Sequence, residues 1–216
     1  MSPTVSALRW VPPFAQGYVR DHRVRWALEE VRCPYEVELV DRQILDSPAY
    51  RAWQPFGQVP AYRDEKTELF ESGAIVLYIA RMSDVLAPQD EAKFARVTGW
   101  VIAALNSVEP HVQNFTNLDA FHAAQPWVEA YRPIAERNLR LKLDALNIWL
   151  ADRDYLENRF TVGDIVMSTV LRELGESGIL SEFPAVKSYL NRCEARPAFR
   201  RAIEAQLADY RSNAPT

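Results

Sequence analysis

Residues 55–76 read PFGQVPAYRDEKTELFESGAIV, and the order of signals within them decides how the first part of the chain is built. Val59–Tyr62 and Thr67–Phe70 are two short extended segments, and the polar Arg63-Asp64-Glu65-Lys66 between them is short enough for a hairpin. Pro60 has no N–H to give to a ladder, so it suits the opening of a strand and not its middle. From Ser72 the period changes: Ile75, Val76, Ile79 and Ala80 fall on one side of a helix, and the pattern dissolves over 81–90. The stretch therefore predicts two antiparallel strands followed by a helix.

Upstream, Ala7–Trp10 is a short apolar run closed by Pro12 and Pro13 and reads as a strand. Val24, Leu28 and Val31 then recur at helical spacing, with Arg23, Arg25, Glu29 and Glu30 as polar positions. Pro34 stops that helix, and Tyr35, Val37 and Leu39 alternate with Glu36 and Glu38 at the two-residue period of a half-buried strand. The result is βαβ followed by ββα, with 42–57 as an irregular connection holding one helical turn. Beyond Glu91 no strand is convincing. Phe94 to Val108 marks a long helix that Pro110 kinks or ends, Leu139, Leu143, Leu146 and Leu150 mark a second, and patterns over 162–174, 185–195 and 197–210 complete five helices. The predicted organisation is an α/β domain over 1–82, a linker over 83–90 and an all-α domain over 91–216.

Composition narrows the function. The chain has 216 residues, 48% of them apolar and 25% charged, which is enough apolar surface for a packed core. A net charge of −4 with scattered arginines argues against nucleic acid as a partner. Two cysteines, Cys33 and Cys193, are too few for a disulfide scaffold and suit a reducing, cytoplasmic compartment. No apolar run reaches the length of a membrane span, so no membrane role is expected. His22, His111 and His122 form no HExxH pattern and no cluster with cysteine, so no metal site is expected.

Three local signals stand out. Thr161-Val162-Gly163-Asp164 is a reciprocal helix cap, in which each terminal side chain serves the other's amide, with Phe160 and Ile165 placed as its apolar staple. That role is structural. Val59-Pro60 and Glu71-Ser72 are the second signal. A cis peptide at Pro60 leaves the Val59 N–H and C=O free to pair with an extended, peptide-like ligand. Ser72 and neighbouring amides at a helix start receive a carboxylate, and Glu71 an ammonium, which suits a zwitterionic end group. A proline opening a strand and a serine capping a helix are also ordinary structural uses of these residues. The third signal is Arg20, Arg23 and Arg25 at the start of a helix, where cations need partners. Asp21 is placed to pair with Arg25 at i,i+4, which leaves Arg20 to face a ligand.

Taken in order, Arg23 to Glu30, Pro55 to Pro60, Glu71 to Ile75, the Thr161–Asp164 box and Arg196-Pro197-Ala198-Phe199 make the chain similar to the cytosolic glutathione transferase superfamily over roughly residues 5–208. The resemblance implies a thioredoxin-like first domain that binds glutathione, a helical second domain lining the pocket of the electrophile, and a homodimer. It implies that Val59, beside cis Pro60, meets the cysteinyl backbone of glutathione, and that Glu71 and Ser72 receive its γ-glutamyl end. Relatives keep a tyrosine, serine or cysteine near the sulfur. Residues 11–20 contain no serine and no cysteine, and counting back from Arg23 puts Tyr18 in that place, with Arg20, Gln16 and backbone amides as other candidates. The implied activity is a detoxifying transferase that presents glutathione as thiolate to a small hydrophobic electrophile. A glutathione-dependent peroxidase or isomerase and a catalytically weak binding or regulatory protein are the alternatives. Cys33, at the far end of the first helix, and Cys193 read as structural.

Overall fold

The computed structural model describes residues 2–215, apart from the side chain of Glu176. Strands β1 (Thr4–Leu8), β2 (Glu36–Val40), β3 (Ala61–Arg63) and β4 (Glu68–Phe70) form one sheet in the order β2-β1-β3-β4. β1 and β2 are parallel, with Val5 opposite Val37 and Ala7 opposite Leu39. β3 runs antiparallel to β1 and to β4, with Tyr62 opposite Leu69. The parallel pair needs a crossover, and α1 (Asp21–Glu30) supplies it. The β3–β4 turn is built on one carboxylate: Asp64 Oδ1 accepts from the amides of Lys66 (2.8 Å) and Thr67 (3.0 Å). Asp64 Oδ2 accepts from the hydroxyls of Tyr62 (3.0 Å) and Tyr78 (2.9 Å). Tyr78 lies on α4 (Ser72–Ala80), so the same carboxylate ties the hairpin to the helix that follows it.

The first strand is displaced from its expected place at 7–10. Pairing with both β2 and β3 occurs at Thr4 and Val5, and the prolines at 12 and 13 end the extended run. The expected irregular connection holds two short helices, α2 (Arg42–Leu45) and α3 (Pro48–Trp53). Asp41 caps the first by accepting from the Ile44 amide at 3.1 Å, and Ser47 caps the second through the Tyr50 amide at 3.2 Å. Both are short polar caps whose helices are too brief to show periodicity.

Beyond Asp90 follow α5 (Glu91–Ala103), α6 (Glu109–Ala120), α7 (Val128–Trp149), α8 (Val162–Arg172), α9 (Pro184–Glu194) and α10 (Pro197–Ser212). Among the described residues that is one α-helix more than the five expected: α6 lies where no helix was expected, and a π-helical turn over Ala104–Val108 joins it to α5. Pro110 has no N–H for the preceding turn and its ring crowds the carbonyl behind it, so the chain widens there and continues.

Grouped by contacts, residues up to Gln89 together with those from Arg196 onward form one compact unit, and Asp90–Ala195 form another. In the first unit the core joins Val5 and Ala7 of the sheet to Val24, Trp26, Ala27 and Leu28 of α1 and to Ile75, Val76 and Ile79 of α4. α10, which the sequence pattern assigns to the helical domain, packs along α1. This bears on a second difference. Arg23 and Arg25, read as polar-face residues, are buried with Asp21: α10 covers the side of α1 that carries Asp21 and Arg25, while Arg23 faces the start of α4. In the second unit α8 is buried along nearly its whole length and packs against α5, α6, α9 and the turn over Ala104–Val108. Leu139, Leu143, Leu146 and Leu150 are all in that core.

Candidate functional site

The turn entering β3 is held from both sides of one dipeptide. The Val59-Pro60 bond is cis. Gln54, buried after α3, accepts at Oε1 from the amides of Phe56 (2.7 Å) and Gln58 (3.3 Å). Gly57 between them has φ +61°, and a Cβ there would stand 2.9 Å from the Arg51 guanidinium and 3.0 Å from the Leu45 carbonyl, so only glycine fits. Tyr50 donates to the Gln58 carbonyl at 2.7 Å. A phenol has one hydrogen, so the 2.7 Å contact between Tyr50 and Ser6 runs from the serine to the tyrosine, and Ser6 Oγ in turn accepts from the Ala61 amide at 2.7 Å. Burial pushes the Tyr50 phenol above its ordinary pKa, which keeps that hydrogen in place.

The Gln58 carbonyl and the Ala61 amide are thus fixed on either side of Val59 and Pro60. Among the described residues, no hydrogen bond takes up the Val59 N–H or C=O. Sequence reasoning missed Ser6, Tyr50 and Gln54. The signal for Ser6 was present, as a polar residue between the apolar Val5 and Ala7 in the buried middle of the strand TVSAL.

The second feature lies at the end of β4. Glu71 is exposed and has φ +68° and ψ 115°, a conformation that costs a non-glycine residue about 1–3 kcal/mol. Ser72 opens α4 and is 4% exposed. Its hydroxyl does not act as a helix cap. It accepts from Arg23 Nη1 of α1 at 3.2 Å, which joins the starts of two helices. The α4 amides before Ile75 precede the first helical bond, Ile75 N to Glu71 O at 3.0 Å, so that end of the helix is the positive pole of its dipole.

Tyr18 and Arg20 belong to the turn before α1. Tyr18 is 41% exposed, and its amide bonds the Ala15 carbonyl at 3.1 Å. Gln16 is used within the same loop, donating to the Val11 carbonyl at 3.0 Å. Arg20 stands at the N-cap position of α1 with its own backbone nearly helical and no side-chain cap. It precedes Arg23 by three residues, one turn from the Ser72 contact. Asp21 does pair with Arg25, Nε to Oδ2 at 2.8 Å, as the i,i+4 spacing predicts.

Asp164 is spent on architecture. Its Oδ2 accepts from the Thr161 amide (2.7 Å) and hydroxyl (3.0 Å), and Oδ1 from the Leu156 amide (3.0 Å), which completes the reciprocal cap. Burial pushes its carboxyl up to about 6. Cys193 is buried and Cys33 half-buried, its thiol raised by burial and by the Asp64 charge.

Residues 15–81 match the family described as "Glutathione S-transferase, N-terminal domain", and residues 108–197 match "Glutathione S-transferase, C-terminal domain". The chain belongs to the glutathione transferase superfamily. It has the architecture of that family, a thioredoxin-like βαβ-ββα sheet followed by helices. Among curated relatives of this superfamily member is a glutathione S-transferase of Hyoscyamus muticus, 29% identical over 194 residues, 84% of this chain and 92% of the relative. The disulfide-bond oxidoreductase YfcG of Escherichia coli K12 is 28% identical over 210 residues, 89% of this chain and 94% of that protein. A crystal structure of a glutathione transferase family member from Pseudomonas fluorescens Pf-5, with two glutathione bound, superposes with a TM-score of 0.82 at 25% identity. The superposition covers 94% of this chain and 92% of that one.

Proposed function

We propose that the protein is a glutathione transferase that binds the tripeptide against its first unit and presents the sulfur as thiolate to a small hydrophobic electrophile. The observation that carries this reading is the Val59 peptide edge, whose N–H and C=O have no hydrogen bond among the described residues while both neighbouring groups are pinned. A short extended ligand with its own backbone N–H and C=O fits such an edge, and the cysteinyl residue of glutathione is one. Its γ-glutamyl carboxylate then meets the Ser72 hydroxyl and the first amides of α4, and its ammonium meets the exposed Glu71 carboxylate. The backbone strain at Glu71 supports this assignment, since residues held in such conformations cluster at ligand sites.

The thiolate is the reacting form, so groups that stabilise it raise the useful population at neutral pH. Tyr18 donates to the sulfur, and Arg20 with the first amides of α1 supplies positive potential. The thiol proton leaves to solvent, the sulfur lone pair forms an S–C bond, and the displaced pair goes to a leaving group or to the electrophile's own acceptor atom. The helical residues supply the electrophile's apolar surroundings. A homodimer and a cytoplasmic location complete the proposal; they rest on the family and on the free thiols of Cys33 and Cys193.

A second reading, a glutathione-binding protein with little chemistry, is favoured by one feature, the absence of serine and cysteine from residues 11–20. Calorimetric titration with glutathione and a turnover assay on a panel of aryl halides, enones and hydroperoxides separate the two. Binding with turnover supports the transferase, binding alone supports the second reading, and no binding removes both.

A further inference from the structure

Gln206 is a fully buried glutamine on the last helix, 0% exposed. Its Nε2 donates twice, to the Val19 carbonyl at 3.1 Å and to Asp21 Oδ1 at 2.7 Å. Both partners only accept, so the orientation of the amide is fixed: reversed, its oxygen would face two oxygens. Val19 lies between Tyr18 and Arg20. Asp21 opens α1, its other oxygen holds Arg25, and Arg25 Nη2 returns to Asp209 Oδ2 on α10 at 2.7 Å. One turn of α10, Gln206 to Asp209, therefore grips one turn of chain, Val19 to Asp21, through backbone and side chain together.

The same two helices are also joined away from this grip. Arg196 pairs with Glu30 through two bonds of 2.6 and 2.8 Å, and Arg201 with Glu29 at 2.6 Å, both toward the other end of α1. An apolar residue would also fill the space of Gln206 without burying its Oε1, which has no protein partner among the described residues. The charge balance points the same way. Asp21 is a carboxylate at the start of the helix assigned to thiolate stabilisation, and an unscreened negative charge there opposes a second one on sulfur. Gln206 and Arg25 absorb it.

We infer that Gln206 is a positioning residue for glutathione chemistry, fixing through Val19 and Asp21 the turn that presents Tyr18, Arg20 and the first amides of α1 to the sulfur. The inference rests on the glutathione reading for its chemistry but not for its geometry, and two readouts keep them apart.

Gln206→Met keeps the length of the side chain and removes both donors. Arg201→Met, which breaks a contact between the same helices away from the turn, is the control. In the conjugation assay Gln206→Met is expected to lower kcat about tenfold with the KM for glutathione within about threefold, and to raise the pKa of the acid limb of the pH profile by about half to one unit. Hydrogen exchange of the peptide covering residues 14–22 is expected to quicken about tenfold, while Arg201→Met leaves profile and exchange unchanged. If Gln206→Met does not fold, Gln206→Asn, which keeps the amide and shortens its reach, is expected to move both readouts in the same direction. An unchanged exchange rate and pH profile in the Gln206 variant, or equal changes in both variants, overturns the inference. Should the parent protein bind no glutathione, the chemical reading falls, and exchange alone still decides whether Gln206 holds the turn.

Discussion

Arg23 reaches across from α1 to donate to the hydroxyl of Ser72, 3.2 Å away and almost wholly buried at the start of α4. A guanidinium that points a serine at a helix N-terminus leaves that serine's own hydrogen for another acceptor. Ser72→Ala removes the hydroxyl and leaves α4 otherwise intact. Its expected effect is an approximately tenfold rise in the KM for glutathione with kcat within about twofold, the pattern of lost uniform binding. Initial rates over a range of glutathione concentrations check it, and a fall in kcat at constant KM would assign Ser72 to the chemical step.

Tyr50→Phe removes the hydrogen that fixes the Gln58 carbonyl and leaves Ser6 with one partner fewer. The cost is about 1–2 kcal/mol of stability, since a buried carbonyl loses its donor. Glutathione affinity is expected to fall several-fold, because the Val59 edge is no longer held. Urea unfolding and calorimetry measure the two effects separately; lost stability with unchanged affinity would make the Tyr50 contact purely structural.

Tyr18→Phe tests the donor to sulfur. If Tyr18 supplies that hydrogen bond, kcat falls about 10- to 100-fold and the acid limb of the pH profile moves upward. An unchanged limb transfers the role to Arg20 and the helix amides.

Asp164 and Asp21 give the protein a defined response to acid. Burial pushes each carboxyl up to about 6, against an ordinary value of 3.8. A raised folded value means that the stabilisation is complete below 3.8 and is lost as pH rises through about 6. Acidification from pH 7 to 5 therefore favours the folded state through these two groups. His111, held below 6.5 by burial and by Lys142, works in the opposite sense over the same range. Comparing the parent with Asp164→Asn cancels His111 and Asp21. The stability gap between the two proteins is expected to widen by about 1 kcal/mol from pH 7 to pH 5 in urea unfolding, and a gap of constant size would contradict the assignment.

The sequence was legible where one period or one cap dominates. The βαβ-ββα order followed from Val37 and Leu39 alternating and from Ile75 to Ala80 recurring on a helix face, and the cap from Thr161 and Asp164 alone. Tertiary cover was not legible. Arg25 has the look of a solvent-facing residue until α10, far along the chain, lies over it, and Arg23 until the start of α4 meets it. Ser6 and Tyr50 were hidden for a similar reason, since 44 residues separate them and only the tertiary fold brings α3 to β1 at that point. The π-helical turn at Ala104–Val108 escaped because proline announces a disruption without saying whether the helix ends or widens.

The return of α10 to α1 also bears on how the protein is made. Gln206 follows Asp21 by 185 residues and Asp209 follows Arg25 by 184, so a ribosome releases one side of this seam long before the other. Until α10 emerges, the nascent first unit carries a charged seam open to water, and its closure waits on that helix.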